Sequence, residues 1–356
     1  MRRALMVDAA AQGAPALIEA LPNHRFDEAA LVGYLAGRLP GFSRGCRVRQ
    51  FHGGQSNPTF HLETPEGAYV LRKKPGGKLL PSAHAVDREY RILKALADTD
   101  VPVPKARLFC DDPAIIGTIF YVMDYLPGRI YADRAMPGVD AGHRRAAFLD
   151  MASVLGRLHR LSPQAIGLGD FGKPGAYVAR QIDRWTRQYR AANLSEEPAM
   201  ERLIPWLAER AAVADETRIA HGDFRLGNLV LHPTEPRVIG VLDWELSTLG
   251  HPLADLAYCC LPWRTAPELQ GVAGLDIPGL PSEAEFVAHY CEVAGSLVPA
   301  DLDFFVVFSL FRWAAIVAGV YRRGLDGNAS DPNAVAVAGE KFRRLARRGW
   351  EIADGL

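Results

Sequence analysis

The alternation of apolar and polar positions changes period several times along the chain. RVRQF (47–51), PTFHLET (58–64) and AYVLRKK (68–74) read as three successive strands, with PEG as the turn between the last two. In AVDREYRILKALADTDVPVP (85–104) the period lengthens to that of a helix. Ile92, Leu93 and Leu96 fall three, four and seven residues after Glu89, which sets Glu89 beside the buried stripe. A carboxylate there needs a positive partner, because an isolated charge facing a core is unfavourable. TIFYVMDYLPGRIY (118–131) reads as a strand closed by Pro-Gly. RRAAFLDMASVLGRLHRL (144–161) then puts Phe148, Met151, Leu155 and Leu158 on one helical stripe, with His159 in the same packing. NLVL (228–231) and RVIGVLDW (237–244) are short apolar runs separated by HPTEP, whose two prolines favour a turn. The simplest arrangement is an antiparallel hairpin with its midpoint near Glu235.

That hairpin brings oxygen-bearing side chains together. Asn228 opens the first strand and Asp243 closes the second, so both arrive at one end of the ribbon. Asp223 lies five residues before Asn228 in a glycine-containing loop, HGDFRLG, able to fold back over that end. Such a set suits a hard cation like Mg²⁺, which keeps several waters and binds through substrate phosphates. A loop with solvated acids is the plainer alternative, but Asp243 ends a strongly apolar strand, where an unpaired carboxylate is costly.

Composition narrows the class. With 356 residues, 49% hydrophobic and 23% charged, the chain suits one large domain or two lobes of a globular protein. A formal net charge of zero gives no electrostatic reason to expect nucleic acid or an anionic membrane as partner. FFVVFSLF (304–311) is short and followed by Arg312, so no membrane span is expected. The five cysteines are odd in number and scattered, as for buried thiols of a reducing, cytoplasmic compartment. Residues 1–24 read as a leader or short helix. Asp8, Glu19 and the lack of serine there argue against a transit peptide.

The spacing Asp-x-x-x-x-Asn is that of the kinase catalytic loop. HGDFRLGN stands here for His-Arg-Asp and its sequel, and LDW for Asp-Phe-Gly. Over roughly residues 25 to 350 the chain resembles the aminoglycoside phosphotransferase and choline kinase superfamily, above all the kinase-like domains associated with acyl-CoA dehydrogenases. The resemblance implies an α+β, protein-kinase-like two-lobed fold. A small β-rich nucleotide-binding lobe would span residues 25–124 and a larger, mainly helical catalytic and substrate-binding lobe residues 125–356. It implies ATP and Mg²⁺ as cofactors, Asp223 as the catalytic base, and Asn228 and Asp243 as the metal ligands.

The same resemblance organises the rest of the site. HGGQSN would bring Gly53, Gly54, Gln55, Ser56 and Asn57 to the phosphates, small residues there letting backbone N–H groups approach closely. The third strand would supply a cation paired with Glu89. Arg72 is favoured, but alternation leaves Lys73 open as the alternative. Asp124, Tyr125 and Leu126 would form the connector whose backbone meets the adenine edge. Asp255 would brace the loop around His221, neither doing chemistry itself. The interval from Asp243 to Asp255 is too short for a peptide-binding activation segment and no Ala-Pro-Glu follows, which argues against a protein kinase.

The expected activity is therefore an ATP- and Mg-dependent O-phosphotransfer to a hydroxyl of a small molecule, possible acceptors including a hydroxyacyl-CoA. An aminoglycoside phosphotransferase and a non-catalytic nucleotide-binding module are the competing readings. Arg312, Arg322 and Arg323 on the distal helix would face an anionic substrate or else form surface salt bridges. Oligomeric state is not readable from the chain.

Overall fold

The computed structural model describes residues 16–52, 57–75, 85–212, 216–328 and 332–356. They fall into two compact units. The first comprises the chain up to Ala132 together with Met136–Val154 and Leu226–Leu246; the second comprises Asp133–Ala135, Leu155–Arg225 and Ser247–Leu356.

The first unit is built on an antiparallel sheet of six strands. These are β1 (Leu17–Ile18), β2 (Arg47–Phe51), β3 (Thr59–Thr64), β4 (Gly67–Lys73), β5 (Ala106–Cys110) and β6 (Phe120–Asp124), in the order β1-β2-β3-β4-β6-β5. The β1 strand lies within the stretch expected as leader or short helix, and it pairs Leu17 with Phe51. Period-two alternation gives the sheet two apolar faces. Phe60, Leu62, Leu71, Phe120 and Val122 point one way and pack with Leu31 and Leu35 of helix α1 (Glu28–Leu35). Asp27 caps that helix, accepting a hydrogen bond from Ala30 N at 2.9 Å. Val70, Tyr121 and Met123 belong to the opposite side. Helix α2 (Val86–Leu96) packs against β5 and β6 and buries the predicted stripe of Glu89, Ile92, Leu93 and Leu96.

Two short strands complete this unit, β8 (Leu229–Leu231) and β9 (Val238–Val241), paired antiparallel with Leu229 opposite Val241. That register sets Asn228 across from Leu242, whose N–H donates to the Asn228 carbonyl at 2.8 Å. The chain after β6 also joins the hairpin, Arg129 and Leu231 exchanging two backbone hydrogen bonds of 2.8 Å. Gly128 makes this approach possible, because a β-carbon there would collide with the Leu231 carbonyl.

The second unit is mainly helical. Helix α3 (Ala141–Arg160) runs into it and is followed by α4 (Tyr177–Ala191), α5 (Pro198–Glu209), α6 (Pro252–Arg264), α7 (Glu283–Ala294), α8 (Leu302–Arg323) and α9 (Pro332–Asp354). Two short strands, β7 (Arg218–Ala220) and β10 (Thr248–Gly250), pair beside them. Helix α7 opens on a capping box between Ser282 and Glu285 and stops at Gly295, which takes the left-handed conformation a helix terminator needs. The segment Leu302–Gly327 is long and apolar enough to cross a bilayer by composition, more than the sequence pattern suggests, because Arg312 interrupts it only once. It packs against α4, α6 and α9, and 72% of its most apolar window is buried, as in the core helix of a helical bundle.

Candidate active site

In the first unit the strand β4 carries Arg72 on the face of Val70 and sends Lys73 to the other. The Lys73 ammonium lies over the Phe26 ring at 5.3 Å, and burial lowers its pKa. Arg72 instead meets three carboxylates. Its Nε is 3.0 Å from Glu89, and its Nη2 lies 2.6 Å from Asp243 and 3.3 Å from Glu245. Glu89 is held in turn by Asn57 Nδ2, donating at 2.7 Å, and by the Tyr121 hydroxyl at 3.0 Å. The Asn57 side chain thus turns inward to Glu89; Gly53, Gly54, Gln55 and Ser56 lie outside the described residues.

One cation among three carboxylates leaves an excess of negative charge. Burial would lower the pKa of Arg72, but Glu89 above all, with Tyr121 and Asp243, more than offsets it and keeps the guanidinium firmly charged. Glu89 moves the other way. Burial pushes its pKa up to about 7, Asp243 and Glu245 push in the same direction, and Arg72 opposes them. Asp243 itself has a positive φ of 65°, a left-handed conformation that costs a non-glycine residue about 1 kcal/mol or more. Such strain is typical of functional positions.

Next to these charges the unit has a partly open cavity of about 230 Å³, several times the roughly 30 Å³ of one water. Its walls are mostly apolar, including Val70, Met123, Ile130, Val230 and Val241, and Arg72 and Asp243 stand on its border. Asp124, Tyr125 and Leu126 border it too. The Asp124 carboxylate is engaged by Arg107 through two hydrogen bonds of 2.7 Å. The Asp124 and Tyr125 N–H groups donate to Lys105 and Ala68 carbonyls. These two N–H groups are therefore spent within the first unit.

Asn228 is buried at the head of β8, and Asp243 follows β9 at the same end of the hairpin. Among the described residues no group of three or more His, Cys, Asp or Glu side chains forms a ready-made metal cage. One amide and one carboxylate oxygen fit a hard cation that takes its remaining ligands from water and phosphate.

The second unit holds Asp223. Its carboxylate accepts from the Tyr258 hydroxyl at 2.8 Å and from Arg225 Nε at 3.1 Å, and its N–H donates to His221 Nδ1 at 3.2 Å. Asp255, fully buried on α6, accepts the N–H of His221 at 2.6 Å and that of Gly222 at 2.9 Å. Burial alone would raise its pKa, but His159, His221 and the Gly222 N–H outweigh this and hold it below the usual carboxylate range. Arg312 donates to the Gly222 carbonyl. The sequence suggested that Arg312 faces a substrate or the surface; it is buried on α8 and spent on the loop backbone. Arg322 pairs with Asp326 one helical turn on. Sequence reading missed Glu245, Tyr121 and Tyr258. The last had a signal, since Asp255, Tyr258 and Cys259 stand at the i, i+3, i+4 spacing of one helix face.

These features are those of a kinase-like phosphotransferase, and the chain belongs to that class by sequence as well. Residues 47–288 match the model of the phosphotransferase enzyme family named APH, and the chain is a member of that family. It is 45% identical to a candidate aminoglycoside phosphotransferase of Ralstonia eutropha JMP134 of known crystal structure, covering 93% of this chain and 99% of that one with a TM-score of 0.84. The choline kinase of Cryptosporidium parvum Iowa II, 13% identical, superposes with a TM-score of 0.64 over 92% of this chain and 97% of its own. The α+β, protein-kinase-like fold expected from the sequence is thus the fold observed. Among curated proteins, mouse acyl-CoA dehydrogenase family member 10 is 46% identical over 330 residues, covering 91% of this chain and 31% of its own length. Human acyl-CoA dehydrogenase family member 11 is 43% identical over 353 residues, 96% of this chain and 45% of its own. The chain therefore spans less than half the length of these curated relatives.

Proposed function

We propose that this protein transfers the γ-phosphoryl group of ATP, with Mg²⁺, to a hydroxyl group of a small molecule, and that the acceptor is a hydroxyacyl-CoA or a related metabolite. The observation that carries the reading is Arg72, held by Glu89 and Asp243 at the border of an apolar cavity. In this reading the cavity takes the adenine, and the connector backbone beyond Tyr125 meets its polar edge. Arg72 neutralises phosphate charge, oriented by Glu89. Asn228 and Asp243 would hold Mg²⁺, which would supply positive charge to offset that of the phosphates. Asp223 orients the acceptor hydroxyl and takes its proton while the hydroxyl oxygen bonds to phosphorus and the bond to the β-phosphate oxygen breaks, releasing ADP. The excess of carboxylates around Arg72 supports a site that gains by receiving a cation.

The choice of acceptor rests on the acyl-CoA dehydrogenase names of relatives more than 40% identical. The Ralstonia structure favours the second reading, an aminoglycoside acceptor. Zero net charge and five free thiols accord with a cytoplasmic protein acting on a small molecule, without nucleic acid or membrane as partner.

Mg·ATP is expected to raise the melting temperature, by an amount corresponding to about 2.7 kcal/mol at a hundredfold excess over Kd. Asp243→Ala should remove the Mg²⁺-dependent part. Absence of any shift with all nucleoside triphosphates overturns the assignment. Asp223→Asn should lower turnover by about 10²-fold to 10⁴-fold with ATP affinity nearly intact; unchanged turnover would place the base elsewhere. A hydroxyacyl-CoA and kanamycin offered at equal concentration decide the acceptor, and faster transfer to kanamycin would refute the first choice.

A further inference from the structure

The loop from His221 to Phe224 is held by one face of helix α6, residue by residue. Asp255 accepts two backbone N–H groups, Tyr258 donates to the Asp223 side chain, and the Cys259 thiol donates to the Phe224 carbonyl at 3.2 Å. Positions i, i+3 and i+4 of a helix share one face, so a single rigid element sets the loop's backbone and its one protruding carboxylate together. Of these contacts only the one from Tyr258 touches a side chain. It reaches Oδ1, whereas Arg225 reaches Oδ2, so the two oxygens are approached by different donors.

We propose that Tyr258 is the positioning residue for Asp223, fixing the rotation of its carboxylate so that the Oδ2 edge is the one presented to an acceptor hydroxyl. The claim rests on the phosphotransferase reading for its catalytic consequence, but not for the placement itself. Arg225 comes from the loop itself and is two-fifths exposed, so its hold on Oδ2 is the one that yields. The phenol cannot follow suit. It sits on a helix and is half-buried, with the Arg312 guanidinium over its ring at 5.7 Å. Its hydroxyl also keeps the proton it donates, because burial and the neighbouring Asp223 carboxylate both push its pKa up. The charged and titratable groups around the pair are Arg225 and His221 on the loop, Asp255 and Cys259 on α6, Arg312 on α8, and Arg134. Tyr258 is the one of them that meets Oδ1 from a helix.

Tyr258→Phe keeps the ring and removes the donor. Selective ¹³C labelling of aspartate, with Asp223→Asn to assign the signal, reads the carboxyl resonance of Asp223 at one neutral pH. The expected result is a displaced resonance in Tyr258→Phe. A monofluorotyrosine at 258, a stronger donor of nearly the same size, should bring it back toward the wild-type position and guards against a misfolded Phe variant. A resonance identical in wild type and both variants overturns the proposal. ADP release from Mg·ATP with water as acceptor supplies the second readout. Tyr258→Phe should lower kcat about tenfold or more and leave KM for ATP unchanged, with recovery in the fluorotyrosine variant. A lowered melting temperature with an unmoved resonance and unmoved kcat would make Tyr258 merely structural. Wild-type protein that releases no ADP would defeat the phosphotransferase reading, while the resonance still decides the placement.

Discussion

Glu89 in the first unit and Asp255 in the second are carboxylates buried almost completely, and their pKa values move in opposite directions. The desolvation is comparable; the company differs. Asp255 receives two backbone N–H groups with histidines near it, all donors fixed by the fold. Glu89 accepts from the Asn57 and Tyr121 side chains, but its charge is met by Arg72, which it shares with Asp243 and Glu245. Fixed dipoles stabilise a buried charge without needing anything else to arrive. A shared cation does so incompletely, and leaves the cluster responsive to further positive charge. The first arrangement is balanced by the fold itself, and the second keeps an excess of negative charge.

Three measurements would break or sharpen that contrast. Asp255→Ala should be the most damaging, because two buried N–H groups lose their acceptor at about 1–3 kcal/mol each. Urea unfolding should show a loss of about 3–5 kcal/mol, whereas Asp255→Asn, which keeps one acceptor oxygen, should recover part of it. A loss below about 1 kcal/mol would show that the donors have other partners. Arg72→Met should cost less, on the order of 1–3 kcal/mol, since Glu89 can take up a proton near neutrality instead of remaining an unpaired charge. If Arg72→Met proves as destabilising as Asp255→Ala, the responsive character assigned to the first cluster is wrong.

The smallest effect is a slope. The folded pKa of Glu89, about 7, lies above its ordinary 4.5, so the native state binds the extra proton between those values. The stability that Glu89 contributes is fully present below about pH 4.5 and is lost as pH rises through about 7. The difference in melting temperature between wild type and Glu89→Gln should therefore move in the variant's favour across that window. A difference that is flat, or opposite in sign, means that Arg72 holds Glu89 ionised throughout.

Much of this was legible in the chain, and the limits have physical causes. The hairpin followed from two apolar runs around a proline-bearing turn, and Glu89 from its place in a 3.6-residue stripe. Both patterns record burial, which hydrophobicity reports directly. The choice between Arg72 and Lys73 stayed open because alternation says that the two diverge, not which face of β4 meets α2; the ring of Phe26, far away in sequence, takes the lysine. Glu245 was invisible because a short helical turn from Trp244 to Leu246 aims it back at Arg72. Arg312 misled because a basic residue in an apolar helix reads equally as ligand-facing or structural. Only the carbonyl it meets, ninety residues earlier, settles its use.

The backbone at Asp243 bears on how this protein responds to change. At a φ of 65° a glycine would sit without penalty, and an asparagine with little, whereas alanine keeps the steric conflict and gives nothing back. In a saturation library scored by abundance alone, glycine at 243 should therefore outrank most other substitutions. Scored by turnover, it should fall with the rest. A position where those two rankings part company is one at which stability has been traded for work.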